Sequence, residues 1–394
     1  MRDLVEIGMG RTARRTYELA DVNIVPSRRT RSSKEVSTAW QIDAYRFDSP
    51  ILAHPTDAVG SPEFAIELGR QGGLGVLNAE GLWSRHRDPQ ARIDEVLALA
   101  EKDFTGVSAI RKLQELHSAP IDAELLGAAI KQIRDSGVTT AVRVSPQRAR
   151  ELTPTLVAAG IDLLIIHGTI ISAEHVGGET TGELGVSGPL NLKTFIGEID
   201  VPVVAGGVSD HRTALHLMRT GAAGVIVGYG SVEGATTTRD VIGIGVPMAT
   251  AIADAAAARR DYLDETGGRY VHVIADGDIH TSGDIARAIA CGADAVALGS
   301  PLAAAAEAPG RGWFWPSAAA HPSLPRGSVA PSQLGALGDD PNAAPPSLAT
   351  ILHGPTYEAR GQLNLVGGLR RAMAKAGYSD PKEFQKVGLN VGGY

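Results

Sequence analysis

The chain of 394 residues contains one cysteine, Cys291, few aromatic residues (5%) and no run of eighteen apolar residues. One cysteine excludes a framework of intramolecular disulfides, which fits a reducing compartment. The lack of a long apolar run excludes a membrane-spanning helix of the usual length, and the first residues do not resemble a signal peptide. We therefore expect a cytoplasmic protein that makes no contact with a membrane.

The charge balance is acidic, with a formal net charge of −7 at pH 7. Because proteins that bind nucleic acids generally present a basic surface, this balance argues against nucleic acid as a partner. Hydrophobic residues make up 43% of the chain and charged residues 21%, which is typical of a globular α/β protein. The composition therefore indicates a large buried core and excludes disorder throughout.

Eight short runs rich in β-branched residues recur along the chain, each followed by a turn and then by a helical pattern. The predicted strands cover residues 50–55, 73–77, 140–145, 163–168, 202–207, 224–230, 270–277 and 295–300. Eight strands that alternate with helices predict an α/β fold, a (β/α)8 TIM barrel that occupies residues 1–394 as a single domain. A doubly wound open sheet is the alternative, because strand order cannot be derived from the sequence.

Local residue types mark helix starts and loops. Asp210 and Ser282 each precede an amphipathic segment and are predicted to cap its N-terminus. Residues 177–189 and 316–362 are rich in Gly, Pro, Ser and Ala, and we expect flexible loop insertions with little core-forming content.

Several polar residues fall near the predicted C-terminal ends of strands, where the side chains of a barrel converge on substrate. They are His54, Arg143 and His167, with Asp57 close by. We expect these residues to line a polar pocket. Two histidines and Asp57 could also form a metal site, but their spacing matches no metal motif, so no metal is predicted.

The glycine-punctuated segment GYGSVEGATTTRDVIGIGVP at 228–247 resembles the catalytic loop of the IMP dehydrogenase and GMP reductase family. Other matching segments are YELADVNIVPSRRT (17–30), ILAHPTDAV (51–59), EFAIELGRQGGLGVL (63–77), VIADGDIHTSGDIARAIACGADAVALGSPLA (273–303) and LNLVGGLRRAMAKAG (363–377). The resemblance covers nearly the whole chain. The stretch between Leu77 and Thr139 is too short for the pair of CBS modules that the family's long form inserts there, so the chain is similar to the short, CBS-less paralogue class.

This resemblance implies an oxidoreductase that uses NAD or NADP and interconverts IMP with XMP or GMP. It also implies that backbone amides of the loops at 231–236, 276–279 and 299–300 bind the nucleotide phosphate, and that Asp276 contacts the ribose hydroxyls. The substrate-binding residues implied are Ser231, Gly234, Asp276, Gly277, Asp278, Gly299 and Ser300. The cofactor-binding residues implied are His167, Gly228 and Gly230.

Two departures from the family pattern bear on this chemistry. The position of the family's nucleophilic cysteine falls on Thr236, and a hydroxyl that is protonated near neutral pH does not replace a thiolate. Asp278 stands where the family has a second glycine, and its carboxylate would repel a phosphate dianion. An impaired catalytic site is therefore expected.

Two other functions remain open beside the oxidoreductase. One is a catalytically silent paralogue that binds purine nucleotides and regulates purine metabolism, through contact with an active IMP dehydrogenase in one version. The other is a barrel enzyme for a different substrate that uses His54, His167 or Arg143. The resemblance, together with the aromatic residues at 313–315, also predicts a homotetramer.

Overall fold

The structure is a computed structural model that describes residues 4–103, 105–173, 190–229, 236–332, 334 and 344–392. The first strands lie outside the central sheet. They are β1 Leu4–Gly8, β2 Arg11–Arg14, β3 Val22–Ile24, β4 Trp40–Ile42 and β5 Tyr45–Phe47. The pairs β1–β2 and β4–β5 are antiparallel hairpins.

Eight parallel strands form the central sheet. They are β6 Ile51–Ala53, β7 Val76–Asn78, β8 Ala141–Val144, β9 Leu163–His167, β10 Val203–Val208, β11 Gly224–Val227, β12 His272–Ala275 and β13 Ala295–Leu298. Their order is β6-β13-β12-β11-β10-β9-β8-β7, and a parallel bridge between Leu52 and Leu74 joins the two ends. The predicted (β/α)8 barrel is therefore confirmed, and the open doubly wound sheet is excluded by this closure.

The helices surround the barrel. They are α1 Pro62–Arg70, α2 Pro89–Ala100, α3 Val107–His117, α4 Ala123–Asp135, α5 Ala149–Ala159, α6 Leu192–Gly197, α7 His211–Met218, α8 Thr238–Ile242, α9 Met248–Thr266, α10 Ser282–Cys291, α11 Ser300–Ala303, α12 Leu348–His353, α13 Leu365–Ala376 and α14 Pro381–Phe384. No helix in the described ranges is long and apolar enough to cross a membrane.

Two clusters make up the core. One lies between the strands and the surrounding helices, and the other fills the interior of the barrel. Trp40, Ile42 and Phe47 of the β4–β5 hairpin pack against the interior cluster. Because Ile42 reaches Gly224 at the start of β11, the hairpin closes the N-terminal end of the barrel. The hairpin does not cover the opposite end, where the strands terminate.

The two predicted helix caps have different outcomes. Asp210 accepts hydrogen bonds from the backbone N–H groups of Arg212 and Thr213, so its capping role at α7 is confirmed. The cap of α10 is Thr281 rather than Ser282, because Thr281 and Asp284 form a reciprocal capping box. The error is one residue, and it arose because the serine and the threonine are both good caps.

The segment at 316–362 contains more structure than the predicted flexible insertion. Strand β14 (Trp313–Phe314) pairs with β15 (Ala330–Pro331), residues 317–320 form a 3-10 helix, and α12 buries Leu348 and Ile351. These elements were not predicted because they are short and rich in small residues and prolines, so they show little hydrophobic periodicity. Residues 177–189 lie outside the described part of the chain.

The C-terminal residues return to the body of the protein. Helix α13 covers most of the helix expected from the segment at 363–377, and β16 (Leu389–Val391) pairs antiparallel with β3. Trp315 is 1% exposed and packs inside the core, so it offers no surface to another subunit. The homotetramer therefore remains a prediction that rests on the resemblance.

A buried ion pair ties the helices to the N-terminal end of the barrel. Asp294 Oδ2 lies 2.7 Å from Arg259 Nη1 and 2.8 Å from the backbone nitrogen of Val273, and Tyr270 donates to Oδ1 at 2.6 Å. Both members of the Arg259–Asp294 pair are nearly inaccessible to water.

We expect Asp294→Ala to lower the free energy of unfolding by about 3–5 kcal/mol, because it leaves the Arg259 charge buried without a partner. Urea unfolding monitored by circular dichroism measures this loss. Glu265→Ala is the matched control, since the Arg219–Glu265 pair is exposed and should contribute little. Equal losses in the two variants would contradict the assignment.

Candidate functional site at the barrel mouth

The candidate site is built from residues that follow inward-facing apolar residues on the barrel strands. Side chains alternate between the two faces of a strand, so the residue two positions later also points inward. Leu52, Val76, Ala141, Ile165 and Ile274 belong to the interior cluster. The corresponding residues at the strand ends are His54, Asn78, Arg143, His167 and Asp276. The same periodicity that fills the barrel therefore brings these five polar groups together.

Asp276 lies at the centre of this group and is 3% exposed. Its Oδ1 and Oδ2 are 2.9 and 3.1 Å from Nδ1 of His54. Nε2 of His167 is 3.2 Å from Oδ2, at ion-pair distance, but it is not aligned as a hydrogen bond. The two imidazole rings meet edge to face at 5.6 Å. One buried carboxylate thus contacts two histidines.

Burial and charge act in opposite directions on these groups. Burial by itself raises the pKa of Asp276, but His54 and His167 together hold that pKa well below its usual value. For His167, burial is the larger influence and lowers the pKa of the imidazole, although Asp276 opposes the effect. We conclude that Asp276 is ionised and His167 is neutral near pH 7.

Arg143 holds the backbone of His167 in place. Its Nε and Nη2 donate to the backbone oxygen of His167 at 3.1 and 2.6 Å, and Nη1 donates to Asn78 Oδ1 at 3.2 Å. Glu80 Oε1 lies 3.5 Å from Nη1 and also accepts from the backbone N–H of Ser145. Burial lowers the pKa of Arg143, but an arginine at this depth stays charged.

A second aspartate–histidine pair lies beside the first. Asp57 Oδ1 accepts from the backbone N–H of Leu82 at 2.9 Å, and Oδ2 is 3.1 Å from His117 Nε2. His117 Nδ1 lies 2.9 Å from the backbone oxygen of Leu113. Both ring nitrogens of His117 therefore face oxygen atoms of the protein.

This second pair corrects one expectation from the sequence. Asp57 contacts His117, and the carboxylate between His54 and His167 is Asp276. Asp57 therefore belongs to a different pair from the two histidines that were considered with it as metal ligands. Among the residues that the structure describes, no group of His, Cys, Asp and Glu has the arrangement of a metal site.

A cavity of about 670 Å³ opens above these side chains, a size common for small-molecule sites. His54, Arg143 and His167 all line it, as the sequence predicted. Glu80 is the only carboxylate in its lining within the described ranges. The cationic or titratable basic residues that also line it are Arg85, His117, Arg148, His321 and Arg326.

Within the described part of the chain, two of these arginines donate hydrogen bonds only to neutral oxygens, so no partner there neutralises their charge. Arg85 donates to the backbone oxygens of Glu80 and Ala119, and Arg326 donates to Thr169 Oγ1 and to the oxygen of Leu324. Neither guanidinium has a carboxylate at ion-pair distance in the described ranges. The cavity is thus positively charged overall and suits an anionic ligand.

Residues 16–390 match a model of the IMP dehydrogenase / GMP reductase domain. The chain belongs to this family. An uncharacterized oxidoreductase of Mycolicibacterium smegmatis is 71% identical over 389 residues, which span 99% of this chain and 100% of that protein.

Two other relatives define how close the family likeness is. A crystal structure of an IMP dehydrogenase/GMP reductase-like protein from Corynebacterium glutamicum is 59% identical, with a TM-score of 0.90 over 99% of this chain and 98% of that chain. The IMP dehydrogenase of Haemophilus influenzae is 43% identical over 160 residues, 41% of this chain and 29% of that protein. That alignment covers less than half of this chain, whereas the family model matches residues 16–390.

Five of the seven substrate residues that the family resemblance implied lie at the ends of the neighbouring strands β12 and β13, namely Asp276, Gly277, Asp278, Gly299 and Ser300. Gly277 has φ +155° and Asp278 has φ +53°, a left-handed conformation that aspartate tolerates better than most residues. Asp278 therefore keeps the turn that a glycine would make. Its charge acts on Glu18, whose pKa is raised mainly by burial and further by Asp278.

Gly299 and Ser300 lie under aromatic and loop residues. A Cβ atom on Gly299 would be 2.3 Å from Cε2 of Phe314, so the ring rests directly on the glycine backbone. The cavity lined by Ser300, Ser332 and neighbouring residues measures about 10 Å³, room for roughly one water molecule. The phosphate-binding role of these two residues remains a prediction.

The loop that would carry the nucleophile is described only in part. Gly230, Ser231 and Gly234 lie outside the described residues. Gly228 has φ +101°, and a Cβ atom there would be 2.3 Å from the backbone oxygen of Asp276, so glycine is required. Thr236 is 6% exposed, and its hydroxyl has no partner among the described residues. No described base activates it.

Sequence reasoning missed His117, Asn78 and Glu80 as lining residues. Asn78 could have been found, because it follows Val76 by two positions at the end of a predicted strand. His117 could not, since it is the last residue of α3 and not at a strand end, and its contact with Asp57 is formed only in the folded chain.

The lone thiol is remote from this site. Cys291 ends α10, which runs back along the outside of the barrel from the mouth toward the opposite face. Burial raises the pKa of the Cys291 thiol to about 11.

We expect iodoacetamide at pH 8 to label Cys291 in the folded protein roughly 100-fold more slowly than after unfolding, because two pKa units separate the thiol from an ordinary cysteine. Peptide mass spectrometry measures the rates. Cys291→Ser should leave ligand binding unchanged. Rapid labelling of the folded chain would show that the thiol is accessible and activated.

Proposed function

We propose that this chain is a purine-nucleotide-binding member of its family that does not carry out the thiol-dependent dehydrogenase or reductase reaction. The observation that carries the proposal is Thr236, a buried hydroxyl at the position of the family's nucleophile. Attack on a purine carbon requires a soft anionic nucleophile, which a threonine without a base does not supply. Cys291, with its raised pKa and distant position, does not replace it.

The charge of the cavity supports an anionic ligand of nucleotide type. Guanidinium groups bind phosphate with two parallel hydrogen bonds, and Arg85, Arg148 and Arg326 line the same space. IMP and GMP are the nucleotides that the family resemblance implies. The ribose contact implied for Asp276 remains a prediction: its carboxylate is 3% exposed and already lies against two histidines.

The donor set also fits a nicotinamide dinucleotide. The diphosphate of NAD or NADP needs cationic donors, and His167, implied as a cofactor-binding residue, lies in the wall of the cavity. When bound, such a cofactor would supply a hydride acceptor or donor. Arg148 and Arg326 would hold its phosphates, and Tyr229, which also lines the cavity, offers a flat ring.

A second candidate is an NAD(P)-dependent oxidoreductase that acts without a covalent intermediate. The specific observation in its favour is the buried His54–Asp276 pair, which places an acid–base group in the wall of the cavity. Relatives named as oxidoreductases agree with this candidate. The regulatory version of the first proposal, with contact to an active IMP dehydrogenase, has no further support in the described contacts.

Two measurements test the proposal. Isothermal titration with IMP, GMP, XMP, NAD and NADP should detect binding of at least one mononucleotide. Steady-state assays should detect no conversion of IMP to XMP and no reduction of GMP, whereas a turnover near 1 s⁻¹, common for enzymes, would overturn the loss of thiol chemistry. Absence of any nucleotide binding would overturn the ligand class.

We expect Arg148→Ala to weaken binding of the nucleotide that binds by about tenfold, because a charge-assisted hydrogen bond contributes about 1.5–3 kcal/mol. Titration at two salt concentrations should also show a reduced salt dependence in this variant. Arg150→Ala is the matched control: it removes the same charge two residues away, from an exposed side chain that does not line the cavity. Equal effects of both variants would indicate a general charge effect instead of a contact.

A further inference from the structure

Of the two histidines that contact Asp276, His54 has one ring nitrogen available to a ligand. His54 uses Nδ1 for the Asp276 carboxylate, and Nε2 has no hydrogen-bond partner in the described part of the chain. The side chain is 5% exposed, and it lines the 670 Å³ cavity. Because an ionised carboxylate only accepts hydrogen bonds, Nδ1 must carry a proton. In the neutral ring the lone pair therefore sits on Nε2.

His117 provides a contrast within the same protein. Its Nε2 faces Asp57 and its Nδ1 faces the Leu113 oxygen, so neither nitrogen is left for a ligand. This arrangement suits a histidine whose role is structural, namely to contact a buried carboxylate and a backbone oxygen in the last turn of a helix. His54 differs because its second nitrogen faces open space in place of a protein acceptor.

We propose that His54 is a proton acceptor in the wall of the cavity and that Asp276 is its positioning residue. Nε2 accepts the proton of a hydroxyl or ring N–H group on an anionic ligand, and the oxygen or nitrogen of that group keeps the electron pair. The imidazolium that forms stays bonded through Nδ1 to Asp276, which remains ionised. The negative charge of Asp276 then balances the positive charge of the His54 imidazolium.

The surroundings of His54 favour this role. Asp276 follows β12 and stabilises the imidazolium, while His167 from β9 meets the ring edge to face at 5.6 Å and is neutral. Phe314 from β14 covers another side of the ring, with centroids 5.9 Å apart. Arg143 contacts the backbone oxygen of His167, and its Nη1 is held by Asn78 and Glu80. One fixed carboxylate is therefore the nearest charge to His54.

The inference deepens the proposed function and rests on it for the class of ligand. The cationic wall holds the anionic part of the molecule, and His54 recognises a hydroxyl or N–H group elsewhere on it. The acid–base group itself requires no particular nucleotide, so it can be tested with a small chemical probe.

Diethyl pyrocarbonate is the probe, since it modifies unprotonated imidazole nitrogens that have a free lone pair. We expect His54 in the full-length protein to be carbethoxylated at pH 7 about tenfold faster than His117, because both nitrogens of His117 lie against protein oxygens whereas Nε2 of His54 has no protein partner in the described ranges. Exposure alone predicts the reverse order, since the His117 side chain is 15% exposed and that of His54 is 5%. Peptide mass spectrometry gives the rate at each histidine.

Two variants separate positioning from structure. Asp276→Asn should lower the fraction of His54 in the Nδ1–H tautomer, because the amide that replaces the carboxylate can donate to Nδ1 as well as accept from it. Asp57→Asn, which alters the other buried pair, should leave the tautomer of His54 and its rate of modification unchanged. Nitrogen-15 NMR of labelled histidines measures the tautomer, and it should show His54 as the Nδ1–H form in the native protein, whatever the stability of the variants.

The outcomes are distinct for the two proposals. Faster modification of His117, or an Nε2–H tautomer at His54, would overturn the role of His54. If IMP and GMP fail to protect His54 while its reactivity and tautomer are as expected, the purine-nucleotide proposal fails and the proton acceptor stands. Protection by IMP or GMP together with the expected tautomer supports both.

Discussion

The negative charge of a carboxylate that is almost fully buried must be stabilised by neighbouring groups. The side chains at the mouth of this barrel are arranged around that requirement. Asp276 cannot stay ionised at its depth without partners, because the cost of burying an isolated charge is several kcal/mol. His54 and His167 supply the compensation from two other strands. Strands β6, β9 and β12 are therefore linked at their C-terminal ends by one negative charge.

The rest of the site extends outward from that contact. Arg143 holds the backbone of His167, and Asn78 and Glu80 hold Arg143, so the network reaches β8 and β7. Each member needs the next one to satisfy its own polar atoms. A change at one strand end will consequently be felt at the others, which is typical of connected buried networks.

The same arrangement surrounds the residue for which a ribose contact was predicted. Both oxygens of Asp276 face imidazoles, and the side chain is almost fully buried. Phe314 lies on Gly299 and also against His54, so the aromatic ring fills space beside both the implied phosphate loop and the acid–base pair.

The sequence was sufficient for the barrel and for part of the site. All eight strands followed from β-branched runs and turn residues, and His54, Arg143 and His167 followed from their positions at strand ends. The pairing of Asp276 with two histidines did not, because it depends on which strands face each other across the barrel. The assignment of Asp57 failed for the same reason: its partner, His117, comes from a helix.

The barrel is closed between β6 and β7 by the bridge from Leu52 to Leu74, supported by hydrogen bonds from the nitrogens of Ala53 and Leu74. His54 is the residue directly after the strand on one side of this closure, and Asn78 ends the strand on the other side. Both residues line the cavity, so a ligand that contacts both would span the closure. Binding at the mouth and closure of the barrel would then be thermodynamically linked.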